Sequence, residues 1–130
     1  MTGTSTTHSA ADLEAWIEST DEIRARLLAY SKSPIPTDAG ERQADISSAI
    51  ELGQDAGDLL ADCDSYLLLA ESQAVLAVRD EYQDLSADER KVMVKSRVAP
   101  ISRLRDGLAV LYRNIKDRRF ALMSVGRWEP

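Results

Sequence analysis

Residues 46–77, ISSAIELGQDAGDLLADCDSYLLLAESQAVLA, carry the strongest structural signal in the chain, a seven-residue repeat of apolar and small side chains. The repeat advances by alternating steps of three and four residues, which lines its members along one side of an α-helix. No proline occurs between Pro36 and Pro100. We therefore expect one long helix. The residues of the repeat, here called the long-helix seam, are Ile46, Ala49, Gly53, Ala56, Leu60, Cys63, Leu67, Ala70, Ala74 and Ala77.

Breaks and capping residues on either side of this stretch divide the chain into four predicted helices. Pro34 and Pro36 disfavour helix in the residues before them, and Asp38 suits the N-cap of the long helix. Ser86 caps the next helix, and Pro100 suits the first turn of the last one. We expect a disordered segment at 1–8, one helical domain over 9–125 with helices at 9–31, 39–83, 87–97 and 100–124, and a tail at 126–130.

The last predicted helix repeats the same spacing and so predicts an all-α fold. Two such seams favour antiparallel, coiled-coil-like packing of a helical hairpin or bundle around the long helix. A 25-residue helix would cover only part of the long one, so we also expect self-association into a homo-oligomer. Arg118 interrupts this final-helix seam, which consists of Ile101, Leu104, Leu108, Leu111, Ile115 and Leu122.

Composition excludes several classes of protein. The single cysteine, Cys63, rules out an internal disulfide and a zinc knuckle, and its acidic neighbours and burial disfavour a reactive thiolate. Apolar runs are too short to span a membrane, and the first ten residues do not resemble a secretory signal. There is no glycine-rich phosphate loop. We expect a cytoplasmic protein with no cofactor and no membrane partner.

Charge is distributed unevenly along the chain. Residues 1–86 carry a net charge of −12, whereas residues 87–130 carry +6. The basic third could contact phosphate groups, with nucleic acid as a partner, or it could pair with acidic side chains of the long helix. Its candidate anion-binding or nucleic-acid-binding residues are Arg113, Lys116, Arg118 and Arg119.

Four carboxylates form an acidic stripe on the long helix. Glu51, Asp55, Asp58 and Asp62 lie within roughly 60° of one another on a helical projection, away from the long-helix seam. Metal sites in helical bundles project inward and commonly include histidine, and the only histidine here is His8. We predict no metal or catalytic site and interpret the acidic stripe as a partner-binding or solvated surface.

Two resemblances bear on function. DAGDLLAD at residues 55–62 resembles the second acidic motif of all-α, magnesium-dependent nucleotide pyrophosphohydrolases of the MazG kind. Asp58 matches that family's aspartate, Asp55 stands where the family has glutamate, and Glu18 and Asp21 would supply the upstream acids. This resemblance implies magnesium-assisted hydrolysis of a nucleoside triphosphate.

The second resemblance covers residues 58–125. DCDSYLLLAESQAVLAV, DLSADERKVMVK and RLRDGLAVLYRNIKDRRFALMS resemble the C-terminal halves of small helical proteins from early or recombination regions of tailed phages. No functional residue carries over from a pattern without a catalytic motif. The resemblance implies a phage-encoded protein that works through partners.

Three functional hypotheses follow. The first is a non-enzymatic interaction protein with an accessory or regulatory role, which binds a protein complex or nucleic acid. The second is an acidic inhibitor of a host defence nuclease, comparable to an anti-CRISPR protein, that uses the acidic stripe to mimic nucleic acid. The third is the nucleotide pyrophosphohydrolase.

Overall fold

The computed structural model describes residues 10–128 and the side chains of residues 12–124, and the regular structure in this part of the chain is entirely α-helical. Three helices follow one another: α1, Ala10–Lys32; α2, Ala39–Glu81; and α3, Ala87–Trp128. The first two agree with the predicted helices to within two residues, and α2 is unbroken at Gly53 and Gly57. The predicted disorder of residues 1–8 lies outside the described residues.

Side chains cap α2 and α3 as the sequence predicts. The Asp38 carboxylate accepts a hydrogen bond from the Glu41 backbone N–H at 3.0 Å. At the start of α3, Ser86 Oγ accepts from the Glu89 N–H at 3.2 Å, and Glu89 Oε1 accepts from the Ser86 N–H at 3.4 Å. A cap of this kind contributes about 1 kcal/mol, so both caps help to set where the helices begin.

The predicted break between helices at 87–97 and 100–124 is wrong, because α3 continues through Pro100. A proline inside a helix removes one hydrogen bond and crowds the carbonyl four residues earlier, at a cost of about 3 kcal/mol. Val98 and Ile101, on either side of it, are buried in the core shared with α2. Burial of each such side chain contributes about 1.5–3 kcal/mol, which is enough together to offset the proline.

The predicted tail at 126–130 also begins too early, because α3 continues to Trp128. No glycine in the described backbone has a positive φ, so Gly126 does not form the left-handed turn that commonly ends a helix. A glycine inside a helix costs only about 1 kcal/mol relative to alanine. The helix therefore continues through it, and residues 129–130 lie outside the described part.

The three helices form a bundle built on an antiparallel α2–α3 hairpin, which confirms the predicted fold class. A Cβ on Gly53 would lie 3.6 Å from Ile115 Cγ2, while Glu81, at the other end of α2, pairs with Arg97. α1 lies against the hairpin and runs antiparallel to α2. Its Trp16 ring lies 5.0 Å from the Tyr66 ring, and its Tyr30 hydroxyl donates to the carbonyl of Asp45 at 3.0 Å.

The buried surface of α2 is wider than the predicted long-helix seam. Ala49, Ala56, Cys63 and Ala74 of that seam are buried, but so are neighbouring side chains that the seam did not include. Part of the additional burial arises because α1 packs against α2, as the contacts of Trp16 with Tyr66 and of Tyr30 with Asp45 show. The neighbouring buried side chains on α2 include Leu52, Leu59 and Val78.

The length of α3 removes one reason for expecting self-association. The sequence predicted a final helix of 25 residues, too short to cover the long helix, whereas α3 has 42 residues against 43 in α2. The two helices therefore run alongside each other over their whole length. Any self-association must depend on other surfaces.

Candidate functional site

A buried cluster of Tyr30, Asp45 and Arg118 joins all three helices. Arg118 Nη2 lies 2.6 Å from Asp45 Oδ2, and the two side chains are only 7% and 8% exposed. The guanidinium also lies 4.6 Å from the centre of the Tyr30 ring and donates to the carbonyls of Ser33 and Pro34 in the α1–α2 loop. Arg118 is thus a structural residue and cannot contact a nucleic acid, so it leaves the predicted anion-binding set.

Tyr30 completes this cluster from α1. Its hydroxyl donates to the Asp45 carboxylate as well as to the Asp45 carbonyl. Burial and the hydrogen bond to the Asp45 carboxylate raise the pKa of Tyr30 to about 12. The hydroxyl therefore keeps its proton at neutral pH and remains a donor, which satisfies part of the buried carboxylate.

Two further ion pairs connect α2 to α3 nearer the surface. Arg105 Nε lies 2.7 Å from Asp64 Oδ1, and Arg97 donates to the Glu81 carboxylate. The hydrogen bond from Arg97 lowers the pKa of Glu81 below its usual range. Together with Asp45–Arg118, these pairs agree with the second interpretation of the basic third, in which some of its side chains pair with acids of the long helix. Their positions help to set the antiparallel register.

The acidic stripe takes no part in these ion pairs between α2 and α3. Glu51, Asp58 and Asp62 are exposed and Asp55 is half-buried. Among the described residues, none of the four makes an ion pair. The stripe therefore presents carboxylates that have no ion-pair partner among the described residues.

The described residues do not assemble the metal site that the hydrolase hypothesis requires. That hypothesis needs acids of α1, such as Glu18 and Asp21, to converge with Asp58 on one ion. Within the described chain there is no group of three histidine, cysteine, aspartate or glutamate side chains placed to hold a metal. Asp21 instead pairs with Arg24 on its own helix.

Three of the four predicted anion-binding residues remain accessible. Arg113, Lys116 and Arg119 are exposed, and none makes an ion pair with a described residue. The Phe120 ring beside them is 60% exposed. These side chains form a cationic surface with one aromatic group near the end of α3.

Cys63 is a core residue, as the sequence predicts. Its side chain is fully buried, and its thiol points towards the carbonyl of Ile101 at a long 3.9 Å. Burial and the neighbouring Asp64 carboxylate raise the pKa of the thiol to about 11. Because nucleophilic chemistry requires the thiolate, this environment makes Cys63 unreactive at neutral pH.

Two grooves lie on the face of the α2–α3 hairpin that α1 leaves uncovered, here called the open face. Tyr66 of α2 contacts α1, and Gly57 and Val75 are nine residues before and after it. Nine residues make about two and a half helical turns, so Gly57 and Val75 point away from α1. Gly57 lines the proximal groove, with Asp58, Tyr112, Lys116 and Arg119, and Val75 lines the distal groove.

The distal groove is the larger of the two, at about 530 Å³ against 340 Å³. Its floor consists of Val75, Val94 and Val98. Val75 is 52% exposed, and Leu68, two turns earlier on the same side of α2, is 67% exposed. The polar side chains of the groove are Glu71, Arg79, Arg90, Lys91 and Lys95.

Sequence reasoning missed this groove because it considered each helix alone. Lys91 and Lys95 belong to the basic third of the chain, but only the paired helices show that they line the same groove as the exposed Val75. The break predicted at Pro100 also separated residues 87–97 from the helix to which they belong. The sequence does contain one indication of this groove: Val75 and Leu76 are apolar but do not belong to the long-helix seam.

Comparison with known proteins assigns no family to the chain. No protein-family model, curated protein or solved structure matches it. No helix of the described residues is both long and apolar enough to cross a membrane.

Proposed function

We propose that this chain is a non-enzymatic helical interaction protein that binds a macromolecular partner through the open face of its α2–α3 hairpin. The distal groove carries the proposal. Val75 on its floor is 52% exposed, and Lys91 and Lys95 at its edge make no ion pair with a described residue. An apolar surface with a charged rim is typical of interaction sites.

The use of the other charged groups supports the same proposal. The buried Tyr30–Asp45–Arg118 cluster stabilises the fold, and Asp64–Arg105 joins two helices. The charged side chains that make no ion pair with a described residue lie on exposed surfaces, where they are available to bind a partner. An accessory or regulatory role acting through a partner follows from such an arrangement.

Site-specific crosslinking in the native cells tests this proposal. A photoreactive amino acid is placed at Leu68 on the open face and, as a matched control, at Leu28 on α1, which is 47% exposed. We expect defined crosslinked products from position 68 that are absent from position 28. No product at position 68, or the same products at both positions, would contradict the proposal.

We extend the proposal to a phage-encoded protein of the host cytoplasm. The resemblance of residues 58–125 to small helical phage proteins supports the origin, and a single buried cysteine without a disulfide fits a reducing compartment. Self-association is also part of the proposal. It is supported by the exposed Leu76 and Val92, and sedimentation equilibrium over a range of concentrations tests it.

Nucleic acid is a second candidate partner, supported by Arg113, Lys116 and Arg119 beside the exposed Phe120. Cationic side chains and a stacking ring are the elements of single-strand binding. Anisotropy of labelled single-stranded DNA at about 50 and 200 mM salt measures this directly, since phosphate contacts weaken steeply with salt. No binding at the lower salt concentration would eliminate this candidate.

The acidic stripe supports a third candidate, an inhibitor of a defence nuclease. Its four carboxylates are unpaired and follow one another at three- and four-residue steps, so they could occupy a basic groove that normally binds DNA. Asp55→Lys combined with Asp58→Lys should then abolish inhibition and leave helicity unchanged. Inhibition that survives this double reversal would exclude the stripe as the inhibitory surface.

A further inference from the structure

We infer that the occupant of the distal groove is an amphipathic α-helix of a partner protein, about three turns long, with an apolar stripe and carboxylates on its flanks. The inference rests on the proposed function and specifies the chemistry of the partner. It follows from the dimensions of the groove, from the helices around it and from its charge.

The dimensions match a short helix. The distal groove extends along α2 from Glu71 to Arg79, and the exposed Leu68 continues its apolar surface by almost one turn. At 1.5 Å per residue, the eleven steps from Leu68 to Arg79 span about 16 Å, the length of three helical turns. The floor of Val75, Val94 and Val98 would accept apolar side chains spaced at i, i+3 or i+4, and i+7.

Among the described helices, only α2 and α3 form the walls of this groove, because it lies on the face that α1 leaves uncovered. Trp16 of α1 contacts Tyr66 of α2, and α1 begins only six residues before Trp16, at Ala10. Because α1 is antiparallel to α2, its described part reaches about 9 Å beyond Tyr66, near the level of Ser72. From there to Glu81, α2 has α3 as its only packing partner among the described helices, and a docked helix would supply the third.

The charge of the groove selects an acidic partner. Arg79, Arg90, Lys91 and Lys95 face one carboxylate, that of Glu71. Lys91 and Lys95 are one turn apart on α3, so in the free protein they repel each other. Arg79 is paired only loosely, at 3.7 Å, with an exposed neighbour on its own helix. Carboxylates flanking the apolar stripe of a docked helix would pair with these cations.

A nucleic acid and a second copy of the chain fit this groove less well. None of the residues that line it is aromatic, so bases have nothing to stack on, and a phosphate backbone has no apolar stripe for the valine floor. The acidic stripe of another copy has carboxylates at every three- or four-residue step from Glu51 to Asp62. It therefore offers no apolar side chain at the positions that would meet the floor.

Fluorescence anisotropy with designed peptides tests the inference. The probe is a labelled helical peptide with leucine at i, i+3, i+4 and i+7 and glutamate on both flanks, and its matched control has lysine in place of each glutamate. We expect the full chain to bind the acidic peptide in preference to the basic one. The combination Lys91→Glu and Lys95→Glu should weaken that binding about tenfold or more.

A second double variant of equal charge change controls for net charge. Arg26→Glu with Arg103→Glu alters two exposed arginines outside the distal groove and should leave acidic-peptide binding unchanged. Circular dichroism confirms that both variants remain folded. Equal affinity for the two peptides, or equal losses in the two variants, would overturn the inference.

The remaining outcomes identify a different occupant and also overturn it. A dimer of the chain alone that Lys91→Glu with Lys95→Glu dissociates would mean that a second copy fills the groove. Single-stranded DNA binding lost in the same variant would mean a nucleic acid. If crosslinking at position 68 succeeds while the acidic peptide does not bind, the proposed function stands and only the chemistry of the partner is wrong.

Discussion

Replacing Arg118 with alanine should lower the free energy of unfolding by about 3–5 kcal/mol, the usual loss when one member of a buried ion pair is removed. Arg118 and Asp45 are 7% and 8% exposed, so water cannot solvate the carboxylate that the variant leaves behind. The Tyr30 hydroxyl still donates to Asp45. The loop carbonyls of Ser33 and Pro34 also lose a donor, but they are partly accessible and can accept hydrogen bonds from water instead. They therefore add little to the loss of stability.

Chemical denaturation followed by circular dichroism measures this loss, and the melting temperature should fall by roughly 10–20 °C for a chain of this size. Arg119→Ala is the matched control, because it removes the same side chain one residue further along α3. Arg119 is exposed and makes no ion pair with a described residue, so this change should stay within about 0.5 kcal/mol.

A double variant separates loss of the pair from the cost of an unpaired charge. Arg118→Met with Asp45→Leu removes both charges and should recover much of the stability lost in Arg118→Ala, because the isolated buried carboxylate is gone. The reasoning is refuted if Arg118→Ala is no more destabilising than Arg119→Ala. It is also refuted if the double variant loses as much stability as the sum of the losses in Arg118→Ala and in Asp45→Leu, each measured alone.

Three further predictions concern pH, glycines and the thiol. The pKa of Tyr30 is raised to about 12, so stability should hold below about pH 10, the unfolded value, and decline as pH rises towards 12; urea titrations should show a shallower decline for Tyr30→Phe, and identical slopes would contradict this. Gly107→Ala meets no atom within 4 Å and should raise stability by up to about 1 kcal/mol, whereas a Cβ on Gly57 would lie 3.3 Å from Tyr112, so Gly57→Ala should gain less in the same thermal melts. Cys63 should resist a thiol reagent at pH 8 until the chain unfolds, because it is fully buried and its pKa is raised to about 11; complete labelling of the helical protein within minutes would disprove this.

The strongest agreement between sequence and structure lies in the local signals. Asp38 and Ser86 cap their helices because a side-chain oxygen next to an unpaired backbone N–H needs no distant partner. Pro100 was misread for the converse reason. Its local preference for a helix start was outweighed by the burial of Val98 and Ile101 against a helix distant in sequence.

The candidate site was less accessible to sequence reasoning than the fold. The acidic stripe could be located on α2 from its spacing alone, and the structure leaves its four carboxylates unpaired. Arg118 was assigned to the anion-binding set although it interrupts the final-helix seam, and a carboxylate 73 residues earlier, Asp45, makes its burial possible. The distal groove requires two helices side by side and could not be derived from either of them.

Periodicity, caps and charge, which act over one or two helical turns, were sufficient to predict an all-α chain with a long central helix and an antiparallel neighbour. Packing between distant segments determined the rest. It carried α3 through Pro100 and placed Arg118 between Asp45 and Tyr30. These features depend on which side chains meet when the helices come together, and that information lies in no single stretch of the sequence.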